Sequence, residues 1–170
     1  NTYFLEEIYG ACGMLIEASA SRFEQCLTNR GGKNIFEHCA LVSNEYTASS
    51  MELIYSNLMT VSKDATEVEP SEHAAKGLKF FHGRNYTFCA PAKTLSHLID
   101  ANNISRVDIL SIDLEGYELE ALKGACLERG IIKKILVECR DIATLEKFLK
   151  SKNYRLECKL SLHDYLFCLE

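Results

Sequence analysis

Asp113 and Glu115 stand two residues apart in the stretch IDLEGYE, between an apolar run and a glycine. Side chains two apart on an extended chain leave the backbone on the same side. Two carboxylates held together repel, which raises one pKa and prepares a general base, unless a cation sits between them. Gly116, the next residue, lets backbone or ligand approach closely or supplies a positive φ. The same acids could instead simply cap a helix starting at YELEALK, a gain of roughly 0.5–2 kcal/mol. Spacing alone leaves both readings open.

Two more acids end apolar runs, Glu17 in MLIE and Glu138 in ILVE, as Asp113 does in LSID. Ligands of open parallel sheets bind beyond the carboxyl ends of the strands, so Glu17, Asp113 and Glu138 are expected to converge on one crevice. An acid after the second strand of such a sheet accepts hydrogen bonds from the two ribose hydroxyls of a nucleoside. Glu17 fits that task and equally fits a strand-end acid capping the helix SRFEQC. His38, beside Cys39, has no CxxC or helical partner to complete a metal site, so it reads as a satisfied strand histidine and no metal centre is expected. His73 and His82 read as exposed loop histidines, with substrate contact as the alternative. His163-Asp164 would reach the crevice only if the last strand inserts into the sheet. Tyr86 and Tyr117 serve as ring walls or as packing, and Lys79, His82 and Arg84 as a solvated basic face.

These residues need a scaffold, and the hydrophobic periodicity supplies one. Phe4, Leu5, Ile8 and Tyr9 recur at helical spacing after Thr2, a candidate cap, until Gly10. MLIEA (14–18) reads as a buried strand, SRFEQCLTNR as a helix ending before Gly31-Gly32, and NIFEHCALVS (34–43) and MELIYS (51–56) as further strands. From Ser62 to Tyr86 periodicity dissolves, which suits a lid or binding loop. TLSHLIDAN (94–102) is a helix with Thr94 and Ser96 as candidate caps, and VDILSID (107–113) the clearest strand. A helix over YELEALKGACLERG with a stop at Gly124, a strand IKKILVEC, a helix DIATLEKFLKSKN capped by Asp141, and an antiparallel pair YRLECKLSL and DYLFCLE complete the chain. Apolar strands alternating with helices imply an α/β domain whose mostly parallel sheet is covered on both faces. No linker divides residues 1–170, so one domain is expected.

With 170 residues, 47% hydrophobic and 25% charged, the chain can bury roughly 70% of its unfolded surface in one core. Its net charge of −5 carries no nucleic-acid signature. No apolar run reaches the roughly 18 residues of a membrane span. The eight cysteines form no CxxC pair and most sit in apolar runs, the pattern of reduced core thiols in a cytoplasmic protein. The sequons Asn85-Tyr86-Thr87 and Asn103-Ile104-Ser105 pull weakly the other way.

VDILSIDLEGYELEALKG resembles the hallmark segment of the FkbM family of S-adenosylmethionine-dependent methyltransferases, an apolar strand running into D-x-E-G-x-E and a short helix ending in glycine. NTYFLEEIYGACGMLIEASASRFEQCLTNR is similar to the family's second block, HCALVS to its third-strand block, and TLSHLID, KKILVE and the final Asp before an apolar strand follow in the family's order. The resemblance covers nearly the whole chain. It implies a class I methyltransferase fold, a Rossmann-like three-layer sandwich with a seven-stranded, mostly parallel sheet and one antiparallel strand in a C-terminal hairpin. It also implies methyl transfer from S-adenosylmethionine to a hydroxyl oxygen of a small molecule or glycan. On this resemblance Glu17 holds the ribose, Ala18 and Ser19 line the same pocket, and Cys39, Ala40 and Leu41 border the adenine. Asp113 faces the donor's amino-acid end or the acceptor hydroxyl, Glu115 takes the substrate side, and Glu138 is a third acid near the acceptor.

Two departures stand out. Gly10-Ala11-Cys12-Gly13 lacks the tryptophan often found in this turn of the family. The family's first strand and glycine-rich donor loop have no counterpart here and would precede Asn1, so the 170-residue stretch is expected to bind the cofactor weakly by itself. A methyltransferase-like domain that has become a non-catalytic binding or scaffold module is the alternative. A dinucleotide-dependent enzyme is disfavoured, because no G-x-G-x-x-G occurs.

Overall fold

The alternating pattern becomes six helices and ten strands in the computed structural model, which describes residues 2–79 and 83–170. In chain order they are α1 (Thr2–Tyr9), β1 (Met14–Glu17), α2 (Ala20–Asn29), β2 (Ile35–His38), β3 (Ala40–Leu41), β4 (Ser50–Tyr55), β5 (Val61–Ser62), α3 (Pro70–Gly77) and β6 (Tyr86–Lys93). There follow α4 (Leu95–Ala101), β7 (Leu110–Ile112), α5 (Glu118–Lys123), β8 (Lys134–Glu138), α6 (Ile142–Lys150), β9 (Tyr154–Lys159) and β10 (Asp164–Leu169). The expectations for His82 lie outside the described residues.

Among the described residues the strands form three sheets, where one mostly parallel sheet was expected. β1 and β2 pair in parallel, with Glu17 opposite His38. A second sheet has the order β7-β8-β10-β9, with β7 and β8 parallel and both contacts of β10 antiparallel. A third has the order β3-β6-β4-β5, parallel only between β3 and β6. The architecture is therefore mixed α/β. The single strand expected over 34–43 splits at Cys39, because His38 still pairs with β1 while Ala40 already pairs with Ala92 of β6. β6 escapes sequence reading because Pro91, which has no N–H, lies inside its run. The C-terminal hairpin forms as expected, and β10 sits between β8 and β9, so the last strand does insert.

Side-chain caps open three of the six α-helices. Thr94 accepts the His97 N–H and opens α4, and Asp141 accepts the Thr144 N–H and opens α6. Thr2 is the first residue of α1 and not its cap. The stretch 62–86, expected to be an irregular lid or binding loop, contains the last residue of β5 and all of α3. Glu69 accepts the Glu72 N–H at 2.7 Å while Pro70 fills the first helical turn, where its missing N–H costs nothing.

The main core gathers Leu98 and Ile99 of α4, Ile112 of β7, Ile135 and Val137 of β8, Leu145 and Leu149 of α6 and Phe167 of β10. A smaller cluster joins Ala40, Val42, Met51, Leu53, Ala90 and Tyr117 beneath the third sheet. β1 is only half-buried, against expectation; among the described residues β2 covers one of its edges and no strand pairs with the other. The cysteines are all free, but only Cys39 and Cys139 are buried, so most are not the core residues their apolar surroundings suggested. No helix among the described residues is long and apolar enough to cross a membrane.

Gly124 ends α5 as expected, for a reason other than backbone conformation. Its φ is −90°, and an added Cβ would lie 2.0 Å from the Val42 carbonyl oxygen. Because that neighbour is backbone, Gly124→Ala is expected to destabilise the protein by at least about 2 kcal/mol in urea unfolding. An unchanged midpoint would show that the helix and strand can separate freely here.

Candidate functional site

The ends of β7 and β8 lie side by side, with Ile112 opposite Val137, so the residues that follow each strand meet. After Ile112 the chain turns sharply: Glu115 has φ 53° and Gly116 φ 96°. Glycine is needed at 116 on two counts, its left-handed φ and the approach of Glu67 and Val68, whose side-chain atoms would lie 3.3 Å from an added Cβ. Glu118 makes the turn hold. Its carboxylate, on a residue only 2% exposed, accepts the Leu114 N–H at 2.6 Å and the Gly116 N–H at 3.0 Å. Burial raises its pKa, and these bonds pull the other way. The N-cap position of α5, Tyr117, makes no side-chain cap bond, so the helix-cap reading of Asp113 and Glu115 gives way to Glu118 bonding the turn.

The turn after β8 is held from the other side. Glu67 Oε2 accepts the backbone N–H groups of Arg140 at 2.9 Å and Asp141 at 3.2 Å. This brings the Arg140 guanidinium to 3.3 Å from Glu115 Oε2. One oxygen from each of Asp113, Glu115 and Glu138 then lies within 4.8 Å of the others. Such spacing would also admit a divalent cation; here the neighbouring positive group is Arg140, and no metal is assigned.

The electrostatics follow. Glu115 is pushed up to about 7, first by burial and then by the charges of Asp113 and Glu138, with Arg140 opposing. Repulsion between neighbouring acids, the cause expected from sequence, is thus second to loss of water. Asp113 is raised in the same order, by surrounding protein and then Glu138, although its residue is open to solvent at the rim. Asp164 adds to that shift, since β10 places it opposite Glu138.

Sequence reasoning misplaced one member. His73, read as an exposed loop residue, is 4% exposed on α3, and its Nε2 lies 2.9 Å from Glu115 Oε2. Its pKa is lowered by burial, then by Arg140 and Lys76. The available signal was EPSEHAAKG, an acid and a proline opening an alanine-containing run that ends in glycine.

The other candidates are not part of this group. Glu17 accepts the Ser19 N–H at 2.8 Å, Ser19 is buried with its Oγ 3.2 Å from that of Ser21, and the Ala18 carbonyl contacts His38 Nε2 at 3.0 Å. His38 also stacks on Phe23, the satisfied histidine expected. Cys39 and Leu41 pack into the main core and Ala40 into the smaller one, so their side chains do not line the acidic rim. Nor do the two most prominent clefts touch the three acids. The larger, about 310 Å³, lies among Tyr46, Asp64, Thr66, Tyr117 and Glu120, and the other, about 240 Å³, includes Asn44, Cys126, Phe148 and Lys152.

The chain is a mixed α/β protein that gathers acids at adjoining strand ends, where ligands of open α/β sheets bind. Residues 1–156 match the family described as the methyltransferase FkbM domain, and the chain belongs to that family. No curated protein and no solved structure matches it.

The state of Glu115 has a measurable effect on stability. Its folded pKa of about 7 lies above the ordinary 4.5, so its contribution is complete below about pH 4.5 and is lost as pH rises through about 7. His73, shifted down, acts oppositely, contributing above its ordinary 6.5 and losing that share as pH falls through its lowered value. Glu115→Gln, which stays neutral, is expected to gain on the wild type by on the order of 1–3 kcal/mol between pH 5 and pH 8. Urea unfolding at both values measures this, and parallel curves for the two proteins would refute a buried, raised Glu115.

Proposed function

We propose that the protein is an S-adenosylmethionine-dependent methyltransferase acting on a hydroxyl oxygen of a small molecule or glycan. The observation that carries this reading is the meeting of Asp113, Glu115 and Glu138 at the ends of two parallel strands, with Glu115 raised to about 7, in a chain of the FkbM family. When bound, the cofactor supplies a methyl group already activated on a sulfonium. The chain has then to orient the acceptor oxygen in line and take its proton. Orientation contributes several kcal/mol, and a positioned base roughly 10²-fold to 10⁴-fold. A carboxyl titrating near neutrality is well matched to that second task, and Asp113 or Glu115 is the proposed base, with Glu138 as the third acid by the acceptor.

The turn after β1 offers a fit for the donor's nucleoside. One oxygen of Glu17 is engaged by Ser19, and Oε2 has no hydrogen bond among the described residues, leaving an acceptor for a ribose hydroxyl. Ala18 and Ser19 share that turn. Cys39, Ala40 and Leu41 follow the strand beside it, and since their side chains pack inward they would offer adenine backbone contacts. Among the described residues β1 and β7 each have a strand on one side only, which supports a class I arrangement in which a further parallel strand lies between them. A non-catalytic binding module is the second reading, favoured by the position of both clefts away from the acids.

The test is donor binding by calorimetry and a product screen over hydroxyl acceptors with the full-length protein. Asp113→Asn is expected to lower turnover at least 100-fold, within the range of a lost general base, while donor affinity stays within a few fold. Full turnover in that variant would remove Asp113 from the mechanism, and no donor binding by the full-length protein would favour the non-catalytic module.

A further inference from the structure

We propose that His73 and Glu115 work as one unit: α3 inserts the imidazole among the acids, where it positions the Glu115 carboxyl and exchanges a single proton with it. Only the catalytic consequence of this pairing rests on the methyl-transfer reading.

The contact is built into the fold. His73 is buried, and its Nε2 stands 2.9 Å from Glu115 Oε2 without a hydrogen bond to any of the described residues. The helix that carries it is fastened at several points. Ser56 Oγ donates to the Ala74 carbonyl at 2.7 Å, and Gly77 packs so tightly on Ser56 that a Cβ would lie 2.1 Å from Oγ. Ahead of the helix, Thr66 N–H donates to the Gly116 carbonyl and Glu67 holds the turn after β8. Glu115 in turn has a left-handed backbone, a conformation that a non-glycine residue keeps only where its surroundings impose it. Both partners are therefore held by structure other than their mutual contact.

Asp113, Glu138 and Arg140 face Glu115, and Arg140 and Lys76 face His73. Burial favours the neutral carboxyl and the neutral imidazole, so the pair holds one proton, which can sit on Oε2 or Nε2. This solves a difficulty with Glu115 as base. A carboxyl that is half protonated near neutrality accepts a proton only in its ionised fraction. With His73 behind it, Glu115 receives the acceptor's proton as its own passes to Nε2. The acceptor O–H bond breaks, the new O–C bond forms, and the carbon–sulfur bond breaks with its electron pair remaining on sulfur. The positive charge lost at the sulfonium reappears on the imidazolium.

The experiment is side-chain ¹⁵N NMR of His73 from pH 5 to 9 in the wild type and in Glu115→Gln. The wild type is expected to report two linked titration steps at Nε2, and Glu115→Gln one step, displaced by at least half a pH unit. Superimposable His73 curves in the two proteins would overturn the proposal. Turnover profiles form the second arm: His73→Gln is expected to lower kcat at least tenfold with KM within twofold, and to shift the acid limb of the pH profile. An unchanged limb would also overturn the relay. If the protein transfers no methyl group to any acceptor, the function is wrong while the NMR arm still decides the pairing. If His73→Gln fails to fold, the NMR comparison uses Glu115→Gln alone.

Discussion

A carboxylate buried beneath the turn it bonds sets the geometry at the ends of β7 and β8. Removing Glu118 from water costs several kcal/mol if it stays ionised. Its bonds to the Leu114 and Gly116 N–H groups return on the order of 1.5–3 kcal/mol each, so the two sides nearly balance. The net effect is specificity more than stability. Without Glu118, two backbone donors in a turn with consecutive positive φ angles would have no partner, and the chain could leave β7 in another direction. With it, Asp113 stays on the rim while Glu115 is directed inward to a position where its side chain is 14% exposed.

The second requirement is that something close over this turn without burying it entirely. The segment from Glu67 to Gly77 does so by packing Val68 on Gly116, holding the Arg140 and Asp141 N–H groups with Glu67, and bringing His73 to Glu115. Each of these contacts joins residues far apart in sequence. The segment is thus a wall of the site, and burial is the first reason that Glu115 is pushed up to about 7.

What could be read from sequence follows from the range of the interactions involved. Caps at Thr94 and Asp141, the glycine stop at 124 and the apolar strands β7 and β8 are local, and they stand where periodicity put them. The IDLEGYE acids were visible because two carboxylates before a glycine are unusual at a strand end. Other features depend on partners in space. β6 contains a proline and becomes a strand because β3 and β4 flank it. NIFEHCALVS changes partner at Cys39 without a turn residue to mark the change. The burial of His73 depends on where α3 packs, and an isolated histidine in a polar stretch carries no sign of that. Nothing in YELEALK marks Glu118 as buried, because only the folded turn reveals the N–H groups it serves.

The charge balance at the rim connects these pieces. Three carboxylates face one guanidinium, Arg140, and the backbone N–H of that same arginine is held by a fourth acid, Glu67. Were all three rim acids ionised, the site would keep an uncompensated negative excess in partly dehydrated surroundings, the condition in which a group neutralises itself. Glu115 is pushed up to about 7 by burial and two acidic neighbours, so it takes up the proton, and on the pairing proposed above His73 supplies a place for that proton to go. With Glu115 protonated, two carboxylates still face one guanidinium, and the rim stays mildly negative. Such a rim attracts cationic groups and repels anionic ones. An approaching cation would draw Glu115 toward its ionised form.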